Sequence, residues 1–371
     1  MNTDPMQRRV EEALASAVGE GGEVGLQVAA YWGGELVVDA SAGLADPRTG
    51  RRVDSGSLFH VFSCGKAVTA TAVHLLAERG RLDYDSPVAR YWPEFGVLGK
   101  ESITVRQVLT HTSGIPRLPD ATTLGELCDW ERVCEELCGL SPLWPPGAST
   151  GYHGLTFGWI LGEVIRGADG RHVRDMVAQD VLGPLGLLDS VALGGLAESM
   201  PARTAAHLED GVVPESARLD APADETPCAA WANHPGYLDA CIPATATATA
   251  EGLARLFASL AGGVGPGRDR LLPAERVAAA VLPAVDAVDL FSGSRVRRGL
   301  GYLLGRLRLP AGDEVDVFGH HGLGGSIVFA DPVRGFSFAL TKNNLTGRPF
   351  AGGAVDLATR AMGMAVDFLL P

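Results

Sequence analysis

Lysine is nearly missing from this chain: Lys66, Lys100 and Lys342 are the only three among 31 basic residues, the other 28 being arginine. Positive charge as a whole is outnumbered, with 44 acidic residues giving a formal net charge of −13. That balance argues against nucleic acid and anionic membrane as partners, since both demand clustered positive charge. Long apolar runs are also lacking, and no stretch approaches the roughly 20 residues of a membrane span. The first 18 residues carry acids inside their pattern, which predicts a surface helix in place of a signal peptide and a cytoplasmic location. Cysteine is sparse, and six thiols in 371 residues without an export signal read as reduced cysteines, not as a disulfide framework. Cys128, Cys134 and Cys138 have neither the Cys-x2-Cys pairing nor the histidine of common zinc sites, so helix cysteines are expected there and no metal. A nucleophile elbow, Gly-x-Ser-x-Gly, does not occur; Asp39–Gly43 comes nearest but has Asp39 where the first glycine should stand.

What is present is enough apolar material, 46% of residues against 20% charged, to bury one large core or two coupled ones. Two β-rich runs flank Gly33-Gly34 in the manner of a tight hairpin. A helix follows from about Ser63 to Gly80, and the chain from there to about residue 240 is mainly helical pattern and Pro/Gly-rich loop. Its clearest helices are expected at 102–114 and 152–170. A further helix near 247–263 precedes strands near 300–309, 315–322 and 324–342, the last broken by the turn Asp331–Gly335, and a closing helix spans 352–368. Strands at both ends with helices between them predict an α+β fold. An antiparallel sheet from residues 1–80 and 245–371 is flanked by helices, and 81–244 form an inserted, mainly helical domain.

Ser63 and Lys66 stand three apart at the start of the first of these helices, a spacing that places both on one face about 5 to 6 Å apart at Cβ. A serine hydroxyl becomes a nucleophile when a neighbouring base takes its proton. Lysine serves as that base once burial depresses its pKa. The plain alternative is a helix-capping serine beside a solvated lysine. Residues 97 and 339, three before the other lysines, are valine and alanine, so Ser-x-x-Lys occurs once, on a residue type the chain otherwise avoids.

The run Leu58–Phe95, followed by residues 103–116, 151–165 and 318–326, resembles the serine β-lactamase/penicillin-binding-protein superfamily. Within it the class C β-lactamase-like branch that includes the family VIII carboxylesterases is most similar. The resemblance extends from about residue 20 to the end and implies a β-lactamase/transpeptidase-like fold. It assigns nucleophile and base to Ser63 and Lys66, and the tyrosine of Tyr-x-Asn to Tyr152, which shares the proton transfer. The Lys-Thr-Gly strand motif falls on His320-His321-Gly322, and the oxyanion hole on the backbone N–H groups of Ser63 and Leu323. His153, His320, His321, Gly322 and, on the following strand, Asn343 are candidate substrate contacts; His234 and Tyr237 are further candidates for an acyl pocket. The His111–Gly114 stretch, for all its histidine and serine, is read as structural.

Two departures matter. Gly154 replaces the asparagine and His320 the lysine, so groups that grip a β-lactam amide and carboxylate are missing, and a neutral histidine suits an uncharged ester. The resemblance therefore implies a serine hydrolase acting on a small-molecule carboxylic ester through an acyl-serine, with no cofactor. An acyltransferase of secondary metabolism, using the same acyl-enzyme, stays open, as does a catalytically silent binding protein of the same fold. Gly65 is a poor helix former and is expected to loosen the first turn by up to about 1 kcal/mol.

Overall fold

The computed structural model describes residues 4–20, 22–120, 122–196, 199–214, 223, 228–265, 269–345 and 353–368. Helix α1 (Pro5–Gly19) opens with Pro5 in its first turn and the Asp4 carboxylate accepting the Met6 N–H at 2.7 Å. Strands β1 (Gly25–Trp32) and β2 (Glu35–Asp46) are joined by Gly33 and Gly34 at φ 58° and 88°, a two-residue turn that glycine enters without steric cost. The short β3 (Arg51–Arg52) and β4 (Phe59–His60) lead into α2 (Cys64–Glu78). The middle of the chain supplies α3 (Val105–Leu109), α4 (Trp130–Gly139), α5 (Thr156–Asp169), several shorter turns of helix, β5 (Val191–Ala192) and β6 (Thr247–Ala248). Then come α6 (Ala250–Ala261), β7 (Val285–Val288), β8 (Arg295–Arg298), β9 (Leu303–Arg308), β10 (Glu314–His321), β11 (Ile327–Asp331), β12 (Phe336–Lys342), α7 (Ala354–Ala361) and β13 (Ala365–Phe368).

The main sheet has ten strands in the order β3-β2-β1-β12-β11-β10-β9-β8-β7, with β13 also pairing with β9. Every pairing in it is antiparallel. Its seam is β1 on β12, with Leu26 opposite Lys342, so residues from the two ends of the chain close it. Helix α6 lies against β1, β11 and β12 on one face, while α1 packs on β2 and α7 and helps cover the other. The architecture is the α+β class that the pattern predicts. Among the described residues no helix is long and apolar enough to cross a membrane.

Three segments differ from the sequence-based expectation. The helix over 102–114 shrinks to α3, opened by a capping box between Thr104 and Gln107 and ended where His111 turns to φ 59°. The closing helix stops at Ala361 because Gly363 takes φ 78°, and Ala365–Phe368 returns as a strand on β9. The β7–β8 hairpin, where the pattern showed no element, pairs Val285 with Arg298 and Val288 with Arg295.

Candidate active site

Phe62 holds φ 43° immediately before Ser63, a left-handed conformation that costs a bulky residue of order 1–3 kcal/mol. This kink ends the approach from β4 and starts α2. Ser63 occupies the N-cap position, yet its hydroxyl caps nothing. Lys66 Nζ lies 2.9 Å from Ser63 Oγ, with the Ala244 carbonyl accepting from the same amine at 3.5 Å. Lys66 is wholly buried, and burial pulls its pKa down to about 7, against a small opposing effect of the Cys64 thiol. The solvated lysine and the capping serine are both ruled out by this geometry.

Gly65 has a role that the propensity argument leaves out. A β-carbon there would lie 2.2 Å from the carbonyl carbon of Thr245, so only glycine lets α2 approach the 245–246 backbone. That approach helps bury Lys66.

Tyr152 arrives on a loop tied at both sides. The Gly151 N–H donates to His111 O at 3.1 Å, and the Leu290 N–H, from the β7–β8 turn, donates to Thr150 O at 3.0 Å. The His111 ring sits 4.8 Å from the Tyr152 ring and stacks on Phe157 at 5.1 Å. Lys66 Nζ is 4.9 Å from the centre of the phenol ring. Burial pushes the Tyr152 hydroxyl above its ordinary pKa, and a hydrogen bond with Ser63 and the charge of Arg298 work against that rise. The phenol therefore keeps its proton near neutral pH. His153 is buried in the floor of the loop, with Nε2 2.7 Å from Ser113 Oγ and Nδ1 2.6 Å from Gly151 O. The His111–Gly114 stretch thus supplies packing, as its structural reading expects, but His111 also touches the tyrosine directly.

The end of β10 forms the remaining wall. His320 is buried with Nδ1 donating to His321 O at 2.8 Å, and its ring lies 6.2 Å from Tyr152. Burial, then the neighbouring Lys66 and His321, hold the His320 pKa well below the ordinary value, so the ring is neutral. Burial and Lys66 likewise lower His321, to about 4. A β-carbon at Gly322 would stand 2.1 Å from Val61 O, so the strand end presses on the segment entering Ser63. Leu323 follows directly in the chain, and its side chain is 51% exposed.

Ser63, Lys66, Tyr152 and His320 thus converge. Asn343 goes elsewhere: its amide donates to Leu44 O at 3.0 Å and Ala45 O at 3.4 Å, tying β12 to β2. His234 caps the short helix Pro235–Asp239, Nδ1 accepting the Gly236 N–H at 3.1 Å. Tyr237 is buried against His60 and Trp231, at ring distances of 5.4 and 5.8 Å.

Sequence reasoning missed a buried ion pair beside the tyrosine. Arg298 Nη2 donates to Asp289 Oδ2 at 2.7 Å, both side chains being inaccessible, and the Arg298 Cζ lies 5.9 Å from the Tyr152 ring centre. One arginine among 28 carries no local signal of burial. Six unpaired cysteines are distributed through the structure, and among the described residues no group of three or more His, Cys, Asp or Glu is placed to hold a metal. A cleft of about 540 Å³ is lined by Pro116, Leu118, Gly154, Leu155, Thr156 and Trp231 among others. Gly154, two residues after Tyr152, lies on its wall, and an added β-carbon there would meet nothing within 4 Å.

With that geometry established, a family model described as beta-lactamase matches residues 7–360 of the chain. The chain belongs to the beta-lactamase family. One relative in this family, the esterase/beta-lactamase LipL of Mycobacterium tuberculosis (strain ATCC 25618 / H37Rv), is 33% identical over 358 residues, covering 92% of this chain and 82% of that protein. The crystal structure of a family VIII carboxylesterase superposes with a TM-score of 0.86 at 31% identity, covering 96% of each chain. EstA from Arthrobacter nitroguajacolicus Rue61a is likewise similar, with a TM-score of 0.82 at 29% identity over 97% of this chain and 96% of that one. The order of elements in this beta-lactamase-family chain is therefore shared with proteins of its own length.

Proposed function

We propose that the protein is a serine carboxylesterase that works through an acyl-Ser63 intermediate. The observation that carries this reading is the fully buried Lys66 amine, 2.9 Å from Ser63 Oγ and brought to a pKa of about 7. A lysine so placed is half deprotonated at neutral pH and can take the serine proton as Oγ attacks the ester carbonyl. Backbone N–H groups of Ser63 and Leu323 receive the oxyanion. As the tetrahedral intermediate collapses, the C–O bond to the alcohol breaks and Tyr152 gives its proton to the leaving alkoxide. The lysine ammonium then returns a proton to the phenolate, so the hydrogen lost by Ser63 ends on the alcohol. Water attacks the acyl-serine by the same route in reverse, releasing the acid.

The neutral His320 at the site favours an uncharged ester. The esterase name of LipL and the match to a family VIII carboxylesterase structure support the same reading. Intact-mass spectrometry with p-nitrophenyl butyrate tests it. The wild type is expected to turn over in water and to show a transient adduct of one butyryl group, and Ser63→Ala is expected to do neither. An adduct that water leaves intact and that only an added alcohol or amine discharges would replace the hydrolase with a transferase. No Ser63-dependent reaction with any ester would leave a binding protein.

A further inference from the structure

Around the resting Tyr152, burial brings the pKa of every basic side chain facing it except Arg298 to about 7 or below. The groups facing the phenol are Lys66 and Cys64 from α2, His111 from the loop after α3, His320 from β10, and Arg298 with Asp289 from the β7–β8 hairpin. Burial lowers Lys66 to about 7 and puts His111 and His320 well below their ordinary values. An arginine guanidinium does not lose its proton under such conditions. Arg298 is thus the permanent cation of this cluster, and its place is built. One nitrogen is gripped by Asp289 at 2.7 Å, and another donates to the hydroxyl of Thr150, two residues before Tyr152. Asp289 is itself held by the N–H groups of Phe291 at 2.9 Å and Ser292 at 3.2 Å, and its opposing effect on Tyr152 is weaker than that of Arg298. A buried ion pair is poor value as a source of stability, because desolvation offsets the attraction. Its position beside a proton-transferring phenol gives it another use.

We infer that Arg298, oriented by Asp289 and Thr150, is the positioning residue that supports Tyr152 as the acid for the leaving alcohol. The inference rests on the esterase reading above. When Tyr152 hands its proton to the departing alkoxide it becomes a phenolate inside a low-dielectric pocket, and a fixed positive charge 5.9 Å from the ring centre lowers the energy of that state. The strand motif of this chain carries a neutral histidine at 320, and the charge comes instead from the adjoining hairpin.

The test compares a p-nitrophenyl ester with an ethyl ester of the same acid. p-Nitrophenoxide departs without a proton, whereas ethoxide needs one. Arg298→Met is expected to lose at least about tenfold more kcat/KM, which reports acylation alone, on ethyl butyrate than on p-nitrophenyl butyrate. Arg298→Lys is expected to recover part of the difference, and Arg298→Met on a Tyr152→Phe background to add little further loss. Asp289→Asn is expected to behave as a weaker Arg298→Met. Equal losses on both esters, or losses that multiply with Tyr152→Phe, would overturn the assignment and leave Arg298 a packing residue. Ser63-independent or absent hydrolysis of both esters by the wild type would overturn the esterase reading itself, and this inference with it.

Discussion

At the scale of the residue, the three lysines share one fate. Lys66, Lys100 and Lys342 are each at most 2% exposed, while arginine carries the surface ion pairs. Lys100 donates to Cys138 O at 2.9 Å and to Leu140 O, and Lys342 reaches Glu23 at 2.5 Å. Both are thereby tied to carbonyl or carboxylate oxygens. Lys66 faces a hydroxyl and one distant carbonyl, which is why burial depresses it so far. Since the neutral amine is the base, kcat/KM is expected to fall below an apparent pKa of about 7 as the pH is lowered. Folding is linked with the opposite burden. Between about 7 and the ordinary 10.5 the unfolded chain binds a proton that the folded one lacks, so this residue makes stability rise with pH across that window. At pH 7 the cost is on the order of 4 kcal/mol. Lys66→Met is therefore expected to abolish turnover, raise the urea midpoint at pH 7 and flatten its rise toward pH 10. A midpoint that drops would show that the amine is not the strained group described.

At the scale of the element, the site is made where strand and helix ends meet. α2 is brought in by Gly65 against 245–246, and β10 by Gly322 against Val61 O. These are contacts of backbone with backbone, so they cannot be relieved by a rotamer change. Gly322→Ala is expected to push the Leu323 N–H away from Ser63 and reduce kcat by about a hundredfold or more, with KM changed far less. Steady-state kinetics on a p-nitrophenyl ester measure it, and an unchanged kcat would remove Leu323 from the oxyanion hole. The β7–β8 hairpin acts similarly on the other side through Leu290 and Thr150. Its turn, Asp289–Ser294, is held by the Asp289 carboxylate, which accepts from two following N–H groups.

At the scale of the whole molecule, the sheet separates two apolar cores. One, between the sheet and the helical region, contains Ala67, Val68, Phe157 and Phe257 and surrounds the site; the other, beneath α1 and α7, contains Val10, Leu14, Leu340 and Val355. Leu14 is fully buried in the second core, and Leu14→Ala is expected to cost about 3 kcal/mol. Because the sheet stands between, kcat/KM at 25 °C is expected to stay within twofold of wild type. Thermal unfolding alongside kinetics decides this, and a parallel loss of activity would show that the two cores are coupled.

Much of this was legible in the chain before any coordinate. The Gly33-Gly34 turn, the helix beginning at Ser63, the Asp331–Gly335 turn and the sheet assembled from both ends all follow from local rules: positive φ at glycine, helical and strand periodicity, turn chemistry. Ser63 and Lys66 were legible too, because a three-residue spacing on a helix is itself a distance. Other features depend on neighbours remote in sequence. That Gly65 is an asset depends on Thr245, and that His111 touches the tyrosine depends on the bend after α3. Arg298 is indistinguishable from its fellow arginines until the hairpin folds against Thr150. Asn343, near the site by strand order, turns out to point at Leu44 and Ala45. The sequence by itself determined the opening hairpin, the helix from Ser63, the strands flanking the Asp331–Gly335 turn and the closeness of Ser63 and Lys66, since those rest on contacts within a few residues, whereas the β7–β8 hairpin and β13 came only with the tertiary fold. Tertiary structure decided which charges survive around Tyr152, because burial depends on everything packed around a group and no local pattern encodes it.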